Sequence, residues 1–333
     1  MLSKEDYQKI FNSFNNKKVL IIGDVMLDSY LWGKVERISP EAPVPVVAVT
    51  KRAERLGGAA NVALNIKALG AEPILCSVIG DDNKADIFIE LLKKSNLSCK
   101  GIIKNNERKT TTKFRIIGNN AQMLRVDEED DKYLNKKGSE EFISLINNIL
   151  IDDNIDVIIF QDYDKGIINK DVIDFVTSKA KEMNIPVAVD PKKRNFYAYR
   201  NLDFFKPNFK EFSEGLKEDF DKKDIERLNG LAKEFQQKQN IKTLMVTLSE
   251  DGVFIKSDKN DGVLIPARQR SIADVSGAGD TVISIVALCL VLKLLPVDIA
   301  FISNIAGGLV CEHVGVVPID KQRLIDEIYK LLK

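Results

Sequence analysis

Short runs of β-branched and aromatic residues at 19–22, 74–79, 156–160, 186–189 and 244–247 alternate along the chain with amphipathic segments at 58–69, 83–94, 138–150, 169–183 and 223–239. The runs are almost continuously apolar, so each strand needs cover on both faces, and the intervening helices supply it. The pattern predicts an α/β fold: a doubly wound, mostly parallel sheet flanked by helices, whose ligand crevice lies at the carboxyl ends of the strands. A length of 333 residues allows two ordinary domains or one large α/β unit with an elaboration.

Two stretches break the rhythm. Residues 29–55 hold Pro40, Pro43 and Pro45 and alternate Val44, Val46 and Val49, while 110–127 alternates polar and apolar residues about a turn at 118–120. Both read as antiparallel β inserts. The expected organisation is therefore an α/β core of 1–28, 56–109 and 128–333, with 29–55 and 110–127 forming a small β lid over the crevice. The acidic run 127–131 reads as a solvated turn leading into a helix.

Composition removes several function classes. Lys and Arg number 49 against 49 Asp and Glu, with no sustained basic tract, so the chain lacks the electrostatic footprint of a nucleic-acid or anionic-membrane binder. The longest apolar run, 282–292, contains Ser284 and falls short of the roughly 20 residues that span a bilayer, so it reads as a buried helix. Residues 1–16 carry Lys4, Glu5 and Asp6 where a secretory leader needs an apolar core, and Cys76, Cys99, Cys289 and Cys311 form no CxxC pair. A cytoplasmic protein with structural thiols is expected. His313 is the only histidine and reads as structural, which leaves no Ser-His-Asp triad or histidine metal cluster.

The most informative segment is Asp274-Val275-Ser276-Gly277-Ala278-Gly279-Asp280-Thr281, followed by an apolar helix expected from near Val282. Glycines at a helix start leave backbone N–H groups bare, and the positive end of the helix dipole favours an anion. Asp280 sits beside this phosphate cradle either as an ordinary first-turn acid or as the group that holds and deprotonates an acceptor hydroxyl. The dipole would keep it ionised and make it a weak base, which suffices for a loose phosphoryl-transfer transition state. The Rossmann pattern fails because Val282 stands where its third glycine belongs, and no GxxxxGK[ST] sequence is present.

Three further pieces carry polar groups. Gly57 and Gly58 precede Asn61 on a helix start, which suits either sugar hydroxyls against the backbone or close helix packing. Asp24 and Asp28 follow the first strand, as crevice carboxylates or as turn residues. Asn208 and Glu211 share a helix face, as oxygen groups for a hydrated Mg²⁺ near phosphates or as the cap of a surface helix.

In order and spacing, the 57–63 segment with Gly70 and Gly80, the Asn208 to Glu211 piece and the 274–280 segment resemble the ribokinase-like (PfkB) carbohydrate kinases over nearly the whole chain. The resemblance implies ATP as phosphoryl donor with Mg²⁺, Asp280 as catalytic base, Gly277, Ala278 and Gly279 as anion hole, and Asn208 with Glu211 as the metal and phosphate network. Thr247, Gly252 and Asn304 would line the nucleotide. Ile285 replaces the small residue of many members and should tighten packing behind the cradle.

Within that family, segments 23–28, 37–46 and 162–166 resemble the kinases of D-glycero-D-manno-heptose 7-phosphate, which make the 1,7-bisphosphate for lipopolysaccharide core precursors. Many such relatives carry a nucleotidyltransferase domain with an HxGH motif after the kinase, but this chain ends at Lys333 with one histidine, so a stand-alone kinase is expected, in which Asp24, Asp28, Gly57, Gly58, Asn61 and Lys165 meet the sugar. Alternation along the second insert puts Lys113 and Arg115 on one face, and with Arg125 they are expected to hold the substrate phosphate. Tyr30, Leu31 and Trp32 with Val44, Val46 and Val49 give the lid more apolar surface than a monomer should expose, so a homodimer through the lid is expected.

Overall fold

All five apolar runs form strands and all five amphipathic segments form helices, with ends displaced by at most three residues from the expected ones. The computed structural model describes residues 2–119 and 121–332. The chain begins α1 (Lys4–Ser13), β1 (Lys18–Gly23), β2 (Val25–Ile38), β3 (Pro45–Gly58), α2 (Ala59–Ala68), β4 (Glu72–Gly80), α3 (Asn83–Lys94) and β5 (Ile102–Asn105). It continues with β6 (Thr112–Gly118), β7 (Ala121–Glu128), α4 (Lys136–Asp152), β8 (Val157–Gln161), α5 (Lys170–Met183), β9 (Val187–Asp190), β10 (Leu202–Phe205) and α6 (Phe209–Leu216). The last part is α7 (Ile225–Gln239), β11 (Ile241–Thr247), β12 (Val253–Ser257), β13 (Val263–Ile265), α8 (Ala278–Val291), α9 (Pro296–Val310) and α10 (Lys321–Leu331).

Nine strands form one sheet in the order β13-β12-β11-β10-β9-β8-β1-β4-β5, parallel except for β12 and β13. The continuous apolar runs are explained by two cores, one on each face. Val19 and Ile21 of β1 pack with α2, α8 and α9, whereas Leu20 and Ile22 of the same strand pack with α4, α5 and α7. The chain moves outward from β1 through β4 to β5, then returns to β8 on the other side, so strand order reverses between β1 and β8. A crevice opens at such a switch point because the connections leave in opposite directions.

The second sheet, β3-β2-β6-β7, is the expected lid with one correction. Each insert is an antiparallel hairpin, but β2 and β6 join the two side by side in parallel. Both follow strands of the large sheet that run the same way, so both enter the lid in that direction. The lid strands also start and end nearer the core than 29–55 implies, at Val25 and Gly58. Gly118 ends β6 and Ala121 opens β7, as the turn at 118–120 requires, and Asn120 lies outside the described residues.

Helix α8 starts at Ala278, four residues before the expected Val282, and is buried from Asp280 to Cys289, Ile285 included. Among the described residues no helix is long and apolar enough to cross a membrane, and the four cysteines are free. Close strand packing at the switch point depends on Gly23, where a β-carbon would overlap the carbonyl of Gln161 on β8. Gly23→Ala should force β1 and β8 apart and destabilise the fold by about 1–3 kcal/mol, read as a lower urea midpoint. An unchanged midpoint would show that the contact can relax.

Candidate active site

Four strand ends bring polar side chains to the switch point. Asp24 follows β1, Gln161 ends β8, Asp190 ends β9 and Lys206 follows β10. Asp190 and Lys206 form a buried ion pair at 2.9 Å. Helix α8 sets its N-terminus over them: a β-carbon on Gly279 would lie 3.5 Å from Asp190 Oδ2 and 3.6 Å from Lys206 Nζ. Gly277, at φ +82°, needs glycine for its left-handed backbone and lets Asn61 approach closely. The N–H of Ala278 is turned onto the Val275 carbonyl at 3.3 Å, which leaves the following first-turn N–H groups and the buried Lys206 to meet an anion.

Asp280 points into this space and is 3% exposed. Its Oδ2 accepts from Asn61 Nδ2 at 2.7 Å, and its Oδ1 accepts from Tyr163 Oη at 2.6 Å and Gln161 Nε2 at 3.2 Å. Gln161 also donates to Asp190 Oδ2 at 3.2 Å, and its own buried Oε1 has no protein partner among the described residues. Burial pushes Asp280 up to about 6, with Asp190 adding to the rise, while Asn61, Tyr163 and Lys206 oppose it. The expectation that the helix dipole makes it a weak base is thereby corrected. Loss of solvent outweighs the dipole and leaves a carboxylate poised near neutral pH.

Asp24 departs from its expected place among the sugar contacts. It is fully buried, and its carboxylate accepts from the backbone N–H groups of Tyr163 at 2.8 Å, Lys165 at 3.2 Å and Ile167 at 3.3 Å. Burial raises its affinity for a proton against those three bonds. Asp162 lies beside it, held by Asn195 Nδ2 and Tyr199 Oη, both at 2.9 Å, and burial with the charge of Asp24 raises it as well. These carboxylates hold the loop that delivers Tyr163.

The next strand end carries the groups expected at a nucleotide. Asn208 bridges to Thr247 at the end of β11, and Gly252 turns the chain back at φ +102°. Asn304 on α9 spends its amide on the carbonyls of Ile265 and Pro266 beside β13, at 3.3 and 3.0 Å. Asn208 and Glu211 form the capping box of α6, each side chain bonding the other's backbone N–H at 2.8 Å. The Glu211 carboxylate is paired with Lys192, whose Nζ lies 5.5 Å from the Tyr163 ring centroid. Burial opposes the Lys192 charge, but Asp190 and Glu211 raise its pKa. No group of three or more His, Cys, Asp or Glu side chains forms a metal cage among the described residues.

Cross-strand register puts Asp28, Tyr30, Arg55, Lys113, Arg115 and Arg125 on one lid face. Arg115 is paired with the buried Asp28, and the guanidinium carbons of Arg55 and Arg115 lie 4.9 and 5.3 Å from the Tyr30 ring centroid. Burial raises the pKa of Asp28 in spite of Arg115. Lys113 meets Asp127 at 2.9 Å and Glu129 at 3.5 Å, Lys165 meets Glu129 at 2.7 Å, and Arg125 meets Asp127 at 3.0 Å. The acidic run 127–131 is thus not simply a solvated turn. Glu129 ties lid to core by meeting Lys113 and Lys165, and Asp131 pairs with Arg194 at 3.4 Å. Gly57 and Gly58 close β3 against Asp28 and Asp24, where β-carbons would crowd the Asp28 carboxylate and the Asp24 carbonyl.

Sequence reasoning passed over Tyr163, Gln161, Asp190, Lys192, Lys206 and Arg55. The first five stand at or just beyond strand ends on the crevice side, and Asp190-Pro191 and Lys206-Pro207 mark two of those ends directly. Arg55 becomes visible only through its register with Asp28.

Residues 16–322 match the model of the pfkB family of carbohydrate kinases. The chain is 34% identical over 327 residues to the bifunctional protein HldE of Citrifermentans bemidjiense, covering 98% of this chain and 66% of that protein. It is 39% identical over 310 residues to HldE of Campylobacter jejuni, covering 93% of this chain and 64% of that one. The chain therefore spans slightly less than two thirds of the length of these relatives.

Among solved structures, phosphofructokinase-2 of Escherichia coli in complex with potassium superposes with a TM-score of 0.76 at 18% identity, over 96% of this chain and 99% of that one. Ribokinase of Arabidopsis thaliana complexed with ribose and ATP gives 0.71 at 14%, over 93% and 99%. Fold and family together define an ATP-dependent sugar kinase with a ribokinase-like fold. The chain belongs to the pfkB family of carbohydrate kinases.

Proposed function

We propose that the protein transfers the γ-phosphoryl group of ATP to the anomeric hydroxyl of D-glycero-D-manno-heptose 7-phosphate, giving the 1,7-bisphosphate. The observation that carries this reading is the buried Asp280 carboxylate at the N-terminus of α8, beside a glycine cradle and an internal lysine. The choice of sugar rests on segments 23–28, 37–46 and 162–166 and on the HldE relatives.

The residues divide the work by position. First-turn N–H groups of α8 beyond Ala278 and the Lys206 ammonium receive the transferring phosphoryl oxygens. One lone pair of Asp280 Oδ2 remains beside the Asn61 bond and accepts the proton of the sugar hydroxyl. The sugar oxygen forms the new bond to phosphorus, the bond to the β–γ bridging oxygen breaks, and its electron pair leaves with ADP. Thr247, Gly252 and Asn304 lie along the edge available to the nucleotide.

A magnesium ion, when bound with the nucleotide, offsets charge on the phosphates. Asn208 and Glu211 fit it only through water, since their oxygens are already engaged in the capping box and with Lys192. Arg55 and Arg115, flanking Tyr30, are the pair we assign to the substrate's existing phosphate. Lys113 and Arg125 share Asp127 further along the same face. Use of ATP accords with a cytoplasmic location.

The opposite lid face carries Leu31, Phe114, Ile116, Leu124 and Val126, of which Leu124 and Val126 are exposed. A four-stranded sheet with one uncovered apolar face is stabilised by a second copy, so we assign a homodimer joined through the lids.

Three outcomes are expected. Asp280→Asn should stay folded and lose on the order of 10²- to 10⁴-fold in kcat, with product formation from the heptose phosphate followed by mass and phosphorus NMR. Near-normal turnover by the folded variant would remove Asp280 from the reaction. Arg55→Ala and Arg115→Ala should each raise KM for the sugar phosphate on the order of tenfold or more, with KM for ATP unchanged. Equal effects on both substrates would place the phosphate elsewhere. Sedimentation at micromolar concentration should give twice the chain mass, and Leu124→Glu should give monomers; a monomeric parent protein would exclude the lid interface.

A further inference from the structure

We propose that Tyr163 is a positioning residue for the Asp280 base: its hydroxyl clamps Asp280 Oδ1 and reserves Oδ2 for the sugar hydroxyl. This inference rests on the reading of Asp280 as base and extends it to a residue outside the glycine cradle. A carboxylate oxygen has room for about two good hydrogen bonds. Oδ1 is filled by Tyr163 Oη at 2.6 Å and Gln161 Nε2 at 3.2 Å, whereas Oδ2 has only Asn61 at 2.7 Å. The two oxygens are thereby made unequal. One is fixed by the protein, and the other keeps a lone pair for the acceptor.

The loop around Tyr163 is built to hold this geometry. Its backbone N–H is bonded to Asp24 Oδ2 at 2.8 Å, and the next two alternate N–H groups, of Lys165 and Ile167, are bonded to the same carboxylate. Asp164 and Gly166 adopt positive φ, 56° and 80°, which forms the sharp turn that lets one carboxylate collect all three. A buried aspartate collecting three N–H groups from one short turn leaves the tyrosine little freedom. Lys192 Nζ covers the other face of its ring at 5.5 Å.

The groups facing Asp280 are known from every side. They are Asn61 from α2, Gln161 and Tyr163 from the end of β8, Asp190 from the end of β9 and Lys206 beyond β10, with Lys192 across the Tyr163 ring. Burial and Asp280 itself hold the phenol well above its usual range, so Tyr163 stays a neutral donor. Its bond favours the ionised form of Asp280. A tyrosine that only filled space would not touch the titration of the base.

The test measures the pH dependence of kcat/KM for the parent protein, Tyr163→Phe, Asp24→Asn and Asp280→Asn, with melting temperatures to establish folding. Removing the hydroxyl should lower kcat and move the acid limb upward by roughly one pH unit, while KM for ATP stays the same. Asp24→Asn, which loosens the anchor, should shift the limb the same way and add little when combined with Tyr163→Phe. A limb that stays in place in folded Tyr163→Phe, with Asp280→Asn inactive, overturns the clamp and leaves the base standing. A lower KM for the sugar with unchanged or higher kcat would mean that the phenol competes with the acceptor hydroxyl, and also overturns it. Full activity of Asp280→Asn overturns both.

Discussion

In the proposed reaction a carboxylate takes a proton from a sugar and must be shielded from water and yet able to ionise, and these demands conflict. Asp280 meets the first by lying at the start of a helix that is buried almost end to end, packed on both α2 and the large sheet. The second is met by three side-chain donors drawn from two different elements, α2 and the end of β8. Neither element could be placed so without the switch between β1 and β8, and the absence of a side chain at Gly23 is what allows those two strands to lie close enough. The value near 6 records the balance between burial and donors.

The same conflict recurs at the lid. Arginines and lysines gathered on one face for an anionic substrate would repel one another in its absence, and Asp28, Asp127 and Glu129 occupy them. Glu129 meets Lys113 from the lid and Lys165 from the core, and so holds the two together. The pair of Arg125 with Asp127 is exposed on the arginine side and contributes little, typically under about 1 kcal/mol, whereas Arg115 and Asp28 form a buried pair that is costly to break from one side.

Much of this was legible in the chain, for physical reasons that differ from place to place. Continuous apolar runs such as 156–160 can only be strands covered on both faces, and the structure covers them so. Gly277 and Gly279 announce a helix start, and α8 begins between them at Ala278. What escaped the sequence depends on partners far along the chain. The dipole argument for Asp280 used its own helix alone, whereas burial by the rest of the fold decides its titration. Asp24 looked like a crevice carboxylate because it follows a strand, but three N–H groups more than a hundred residues away claim it. The parallel junction of β2 with β6 follows from the common direction of the strands that feed them, which no local pattern in 29–55 or 110–127 encodes.

The proposed reaction depends on one buried carboxylate, Asp280, acting as the base. The pH dependence of kcat/KM for the unmodified protein, with heptose 7-phosphate and ATP, tests that most directly. Activity should be level near neutral pH and fall about tenfold per unit below a limb at about 6, the value that burial gives Asp280. A profile that remains flat to about pH 5 would contradict it, since an ordinary exposed carboxylate, or no carboxylate at all, would then be doing the work.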